Sequence, residues 1–309
     1  MKTAYINTLT ELMRKDKKLI TVTADMGFSV YEAMQQEFPE RFINTGVTEQ
    51  ATTSFSAGLA LTGWKVFMYA QGIFATTRCF EQVRLDIAYQ HLNVKIVGVN
   101  AGFSLNQLGT SHFALEDVAL MRTLPGMTIF TPGDPVEMKW AVEKSYEIDG
   151  PTYLRYSKMG NTVIHTKNTK LTIGQPTKIT QGKDATLLVS GGILETAMKV
   201  VHELKKQKLE VSLYSVPTVK PLDEKTYVGI LKRSKYVFSL EEHSIVGGLG
   251  SAIAELMSEN KIHVPFLRLG APDRFTSITG SIEYLHDYNG LSTDKLTTTI
   301  SNSLNRHGK

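Results

Sequence analysis

The stretch NTGVTEQATT at 44–53 runs into SFSAGLALTG. A single carboxylate, Glu49, stands where a loop enters a helix of small and apolar residues, and the next basic residue along the chain is Lys65. An isolated acid at such a junction is a candidate for chemistry. The position also fits a plain first-turn acid favoured by the helix macrodipole, with Thr45 or Thr48 as cap. Three more stretches carry groups of chemical interest: ADMGFS (24–29) with Asp25, AQGIF (70–74) with Phe74, and NAGFSLNQLGTSHFALED (100–117) with Asn100 and His112. Histidine is the commonest general acid or base. Downstream, PTYLRYSK adds Arg155 and Lys158. Each group has a plainer reading: His112 as a loop histidine, Phe74 and Phe80 as core, Arg155 and Lys158 as surface cations. GGLGSA (247–252) is a glycine-rich helix start, either an anion site or a tight packing turn, and it lacks the G-x-G-x-x-G spacing. Glu241-Glu242-His243 has the composition of a metal site, but neighbours on a strand point to opposite faces and cannot readily chelate together.

The elements that position these groups follow from periodicity. Apolar residues Tyr5, Leu9, Leu12 and Met13 recur at helical spacing, and LITVTAD (19–25) is a β-rich run ending in an acid. KVFMYA (65–70) and VKIVGVNAG (94–102) are strands, with FATTRCFEQVRLDIAYQ a helix between them. TIFTPGD ends a strand in a Pro-Gly turn, Pro135 opens the next helix, and PTYLRYS is again a strand. A polar, Lys- and Thr-rich stretch at 158–182 breaks the rhythm, after which DATLLVSGG, EVSLYSVPTV, YVFSLEEHS and HVPFLRLGAP alternate with helices. The reading is α/β, two three-layer domains with mostly parallel sheets: 1–165, a linker at 166–182, and 183–309. All four early stretches then lie at strand C-terminal ends, where such sheets bind ligands.

Length and charge narrow the function classes. A chain of 309 residues fits two domains, and a net charge of +4 with no dense basic cluster gives no nucleic-acid footprint. No stretch has the run of apolar residues that a membrane span needs. The one cysteine, Cys79, cannot form an internal disulfide, and the amphipathic N-terminus has no apolar signal core, so a cytoplasmic protein is expected.

Taken as a set, GVTEQATTSFSAGLALTGWKVFMYAQGIF, GTSHFALEDVALMRTLPGMTIFTPGD and PTYLRYSK resemble the pyrimidine-binding domain of the transketolase family. VKPLD (219–223) and EEHSIVGGLGSAIAE (241–255) resemble that family's C-terminal domain. The Gly-Asp-Gly motif of its diphosphate-binding domain does not occur; the only Gly-Asp is Gly133-Asp134, before Pro135. The resemblance implies the C-terminal subunit of a split transketolase. A separate N-terminal subunit would hold the diphosphate of thiamine diphosphate and the metal, Mg2+ or else Ca2+ or Mn2+, with none held by this chain. It implies an active site across the subunit interface, self-association as a dimer within a heterotetramer, a sugar substrate, and transfer of a two-carbon ketol unit.

By the same resemblance Glu49 contacts the aminopyrimidine ring and favours the tautomer that takes the thiazolium proton. Phe74 stacks on that ring, with Phe80 as the alternative, and Asp25 lies near the cofactor. His112 faces the substrate, and Arg155 and Lys158 stand where a substrate phosphate is often held. No basic partner is expected beside Glu49, because a salt bridge would hold it ionised. Two positions depart from the family: Leu108 replaces an acid before the histidine, and Asn100 falls where a second histidine is usual. Loss of such polar contacts shifts substrate choice, so a modified sugar is expected. The alternatives are the β-subunit of a 2-oxo acid dehydrogenase decarboxylating component and a non-catalytic partner subunit.

Overall fold

The structure, a computed structural model, describes residues 1–307. In its first domain α1 (Lys2–Lys15) precedes β1 (Leu19–Thr23), α2 (Glu32–Glu37), β2 (Phe42–Asn44), α3 (Glu49–Leu61) and β3 (Lys65–Gln71). Two π-helical turns, Phe74–Arg78 and Val83–Ala88, flank the short α4 (Phe80–Gln82). Then come β4 (Val94–Val99), α5 (Asp117–Arg122), β5 (Thr128–Phe130), α6 (Pro135–Glu147) and β6 (Thr152–Arg155).

The second domain holds β7 (Thr177–Thr180), β8 (Ala185–Ser190), α7 (Leu194–Lys206), β9 (Val211–Ser215) and β10 (Thr218–Lys220). It continues with α8 (Glu224–Leu231), β11 (Val237–Ser244), α9 (Leu249–Glu259), β12 (Phe266–Ala271), α10 (Ile282–Tyr288) and α11 (Thr293–His307). Among the described residues, no helix is long and apolar enough to cross a membrane.

Strand alternation builds the three layers. Phe67 and Tyr69 of β3 face a core with Tyr5, Leu9 and Met138 of α1 and α6, whereas Val66, Met68 and Ala70 face Ala57 of α3 on the other side. In the second domain Leu187 and Val189 of β8 face α7 and α11, while Leu188 faces Tyr227 of α8 and Ile253 of α9. Both sheets are thus buried on both faces, which is why their strands read as near-continuous apolar runs. The two α/β domains with mostly parallel sheets follow the expectation.

The first sheet runs β10-β5-β6-β4-β3-β1-β2 and the second β12-β11-β8-β9-β7. Two details differ from the sequence reading. EVSLYSVPTV is not one strand: after β9 the chain turns at Val216-Pro217, and β10 joins the first domain's sheet, antiparallel to β5. Pro217 cannot donate to a ladder, but its carbonyl and that of Val216 accept from Thr131 N and Oγ1 at 2.8 and 3.0 Å. The stretch read as a linker supplies β7, an antiparallel edge strand on β9. α10 and α11, absent from the sequence reading, cover the second domain through Leu285, Leu296 and Ile300.

Candidate functional site

β1, β2, β3 and β4 run parallel, so their C-terminal ends bring Asp25, the Glu49 junction, Phe74 and Asn100 to one side of the sheet. Asn44, at the end of β2, ties the first loops together. Its Oδ1 accepts from Asp25 N and Gly46 N at 3.0 Å each, and its Nδ2 donates to Asp25 Oδ1 at 3.2 Å. Asp25 adopts a left-handed backbone, φ 51°, a conformation that needs support from its surroundings.

Glu49 is the first residue of α3 and only 4% exposed. The polar side chains that follow it on this buried helix are satisfied locally: Thr53 Oγ1 donates to Glu49 O at 2.8 Å and Ser56 Oγ to Thr52 O at 2.7 Å. At the end of β3, Gly72 is closely packed, since a Cβ there would lie 3.1 Å from Val99 O. The π-helical turn that starts two residues later carries both Phe74 and Arg78 toward Glu49. Such wide turns recur at functional positions.

The expectation of a carboxylate without a basic partner is wrong. Arg78 Nη1 donates to Glu49 Oε2 at 3.0 Å, and the guanidinium lies 4.3 Å from the centroid of the Phe74 ring. Lys65 is the next basic residue in sequence, but the helix after β3 folds back and delivers Arg78 from a separate element. His112 packs edge-on against Phe74, centroids 5.1 Å apart, and its Nδ1 is 3.0 Å from Ser111 Oγ. Glu49, Arg78, Phe74 and His112 therefore form one contiguous group. Phe80 instead packs against the core beneath α3 and is not part of it.

Asn100, also left-handed at φ 54°, donates through Nδ2 to Gln71 Oε1 at 3.0 Å. Gln71 is buried, and its Nε2 has no partner among the described residues. Asn100 and Lys158 line one cleft of about 450 Å³, together with Met26, Phe28, Tyr69 and Tyr156. The 100–117 loop is not loose: Gly102 and Ala114 exchange backbone hydrogen bonds at 2.9 and 3.1 Å, and Asn106 Nδ2 donates to Gly280 O at 2.6 Å. Leu108 projects from it, 54% exposed.

Arg155 is not available to a phosphate. It is 5% exposed, its Nε donates to Asp117 Oδ2 at 2.7 Å, and its Nη2 donates to Ala114 O and Glu242 O. Asp117 also accepts from Tyr153 Oη at 2.6 Å; burial alone would raise its pKa, but the Arg155 and His243 charges and the Arg155 and Tyr153 hydrogen bonds together outweigh this and hold it low. Arg155 thus fastens the first domain to β11. The glycine-rich GGLGSA turn does meet an anion, an internal one: Glu241 accepts from Leu249 N and Gly250 N at 2.8 Å each. Glu242 pairs with His286 at 2.7 Å, while His243 lies 3.9 Å from Asp117 and 3.8 Å from Glu241, so Glu242 turns away from the other two and the three do not converge on one metal position.

Asn44, Gln71 and Arg78 have no role in the sequence reading. Asn44 and Gln71 end strands, a position that flags them; Arg78 lies four residues after Phe74 on a helical stretch, a spacing that places the two side chains together.

The ends of the parallel strands bring a buried glutamate, an arginine and an aromatic ring together where α/β sheets bind ligands. Residues 1–162 match the transketolase pyrimidine binding domain family and 174–296 the transketolase C-terminal domain family. The chain belongs to the transketolase family. It is 35% identical over 310 residues to a putative transketolase C-terminal section of Methanocaldococcus jannaschii, covering 99% of this chain and 96% of that protein. It is 34% identical to a 6-deoxy-6-sulfo-D-fructose transketolase subunit of Clostridium sp. (strain MSTE9), covering 96% and 92%. A solved split-gene transketolase, described as an inactive beta4 tetramer, superposes with a TM-score of 0.87 at 32% identity, covering 98% and 97%.

Proposed function

We propose that this chain is the C-terminal subunit of a two-subunit transketolase, moving a two-carbon ketol unit from a phosphorylated or otherwise modified ketose to an aldose. A separate N-terminal subunit supplies the diphosphate and metal sites, with Mg2+, Ca2+ or Mn2+ bound there. The observation that carries the reading is Glu49, buried at the N-terminus of α3 and joined through Arg78 to the Phe74 ring, in a chain that matches such subunits over nearly its whole length.

The residues present fit thiamine diphosphate. The Arg78 guanidinium links the Glu49 carboxyl to the Phe74 ring, and Gln71, at the end of β3, has a buried Nε2 without a partner among the described residues. When bound, the cofactor supplies the nucleophilic carbon for cleaving and remaking the bond beside a ketose carbonyl. Glu49 would hold a proton at the ring nitrogen of the aminopyrimidine. Phe74 would fix the ring plane, and Asp25, locked by Asn44, would shape the wall of the same pocket. His112, against Phe74, would move protons to and from substrate oxygens. Asn100 and Lys158 would line the path of the rest of the sugar, with Leu108 beside it. The relative that acts on a sulfo-sugar supports a modified substrate.

The test is ketol transfer by this chain combined with a diphosphate-binding partner, wild type against Glu49→Ala. A loss of at least about 100-fold in kcat is expected, the scale of a general acid–base contribution. Unchanged transfer by E49A would contradict the catalytic reading.

A further inference from the structure

We propose that Arg78 is a built-in occupant of the pyrimidine seat, a positioning residue that must be displaced before thiamine diphosphate can load. The inference rests on the cofactor role of Glu49 and Phe74 proposed above. An aminopyrimidine in this seat needs a hydrogen bond with Glu49 and a flat contact with Phe74. Arg78 makes both: its Nη1 donates to Glu49 Oε2 at 3.0 Å, and its planar guanidinium lies 4.3 Å from the Phe74 centroid. His112 already stands against the same ring at 5.1 Å, so the space around Phe74 is shared out between the two side chains.

Arg78 has no other hydrogen-bond partner among the described residues. Its side chain is 45% exposed, whereas that of Glu49 is 4% exposed. The arginine can therefore swing into solvent while the glutamate stays fixed. A half-exposed ion pair is weak enough to be opened by a competing ligand. In the isolated chain the pair keeps a buried carboxylate from being left without a partner, which would be costly. The device thus stabilises the empty subunit and disfavours cofactor entry until the second subunit adds its own contacts. The split-gene relative of this fold is described as an inactive beta4 tetramer.

The experiment is calorimetric titration of thiamine diphosphate, at fixed Mg2+, into the complex of this chain with a diphosphate-binding partner. Wild type, R78M, R78K and E49Q are compared. R78M is expected to bind the cofactor about tenfold more tightly, about 1.4 kcal/mol, because nothing has to be displaced. R78K keeps the charge but loses the planar face and is expected to fall between. E49Q is expected to bind more weakly than wild type. If R78M and R78K bind no more tightly than wild type while E49Q binds more weakly, the displacement idea is overturned and the cofactor site stands. If E49Q binds as tightly as wild type, the cofactor site itself is overturned and the proposal with it. A crystal structure of the loaded complex with Arg78 still on Glu49 and Phe74 would also overturn the proposal.

Discussion

The residues near the site divide by how they are held. Glu49 and Gln71 are buried and fixed, His112 and Asn100 are partly exposed, and Arg78 and Lys158 reach solvent. Sequence could flag Glu49 and Phe74, which stand at a helix start and just past a strand end, whereas His112 lies inside the long 100–117 loop and was reached through the resemblance. It could not locate the Glu49–Arg78 contact, which joins two helices 29 residues apart and leaves no periodic trace.

A buried ionisable group, Lys95 on β4, lies outside the site and is open to a direct test. Burial pushes its pKa from 10.5 down to about 7, while its Nζ donates to Ile148 O and Gly150 O at 2.6 Å each. Between pH 7 and 10.5 the unfolded chain therefore binds more protons at this residue than the folded one. Stability contributed by Lys95 rises with pH across that window, by up to about 1.4 kcal/mol per unit. The urea midpoint of wild type minus that of Lys95→Met should grow between pH 7 and 9.5; a flat difference would contradict this.

At the scale of elements, α6 shows how a helix start can tie two domains together. Asp134 caps it, accepting from Glu137 N at 2.8 Å, and Glu137 Oε2 accepts from Gly133 N at 2.7 Å. Asp134 Oδ2 also accepts from Ile164 N and His165 N at 2.9 and 2.7 Å, which anchors the chain leaving the first domain. The His165 ring sits between Asp134 and Glu137 at 3.1 and 3.3 Å. The cluster has the composition of a metal site, but Asp134 is already committed to backbone donors. Burial would raise the pKa of Asp134, but the His165 ring together with the backbone donors of Glu137 and His165 outweighs it and holds it at about 2. Its contribution is therefore complete above about pH 3.8 and lost as pH falls toward 2. Asp134→Ala should cost roughly 2–4 kcal/mol at pH 7, combining a lost cap with unpaired buried donors. Chemical denaturation checks this, and a loss under about 1 kcal/mol would contradict the anchoring role.

Elements of plain period were readable: β1, β3, β4 and β6 were placed from their apolar runs. The transfer of β10 to the other domain's sheet was not, because a strand's choice of neighbour depends on tertiary contacts that Pro217 only permits. The π-helical turns were hidden for a like reason, since a widened turn changes hydrogen bonding without changing residue type.

At the scale of the whole molecule, the two domains are coupled. β10 extends the first sheet, Arg155 reaches Glu242 O at 2.9 Å, and Arg122 reaches Gly247 O at 2.6 Å. One apolar cluster runs from Ile20 and Val66 through Leu188 to Ile253. On the proposed reading, the other half of the cofactor's environment comes from a separate subunit. Native mass spectrometry of this chain, alone and with a diphosphate-binding partner, tests that most directly when thiamine diphosphate is titrated into both. The account predicts a mixed assembly of two copies of each subunit that retains cofactor, and an isolated chain that retains none. Stoichiometric cofactor on the isolated chain, or no mixed assembly with any such partner, would contradict it.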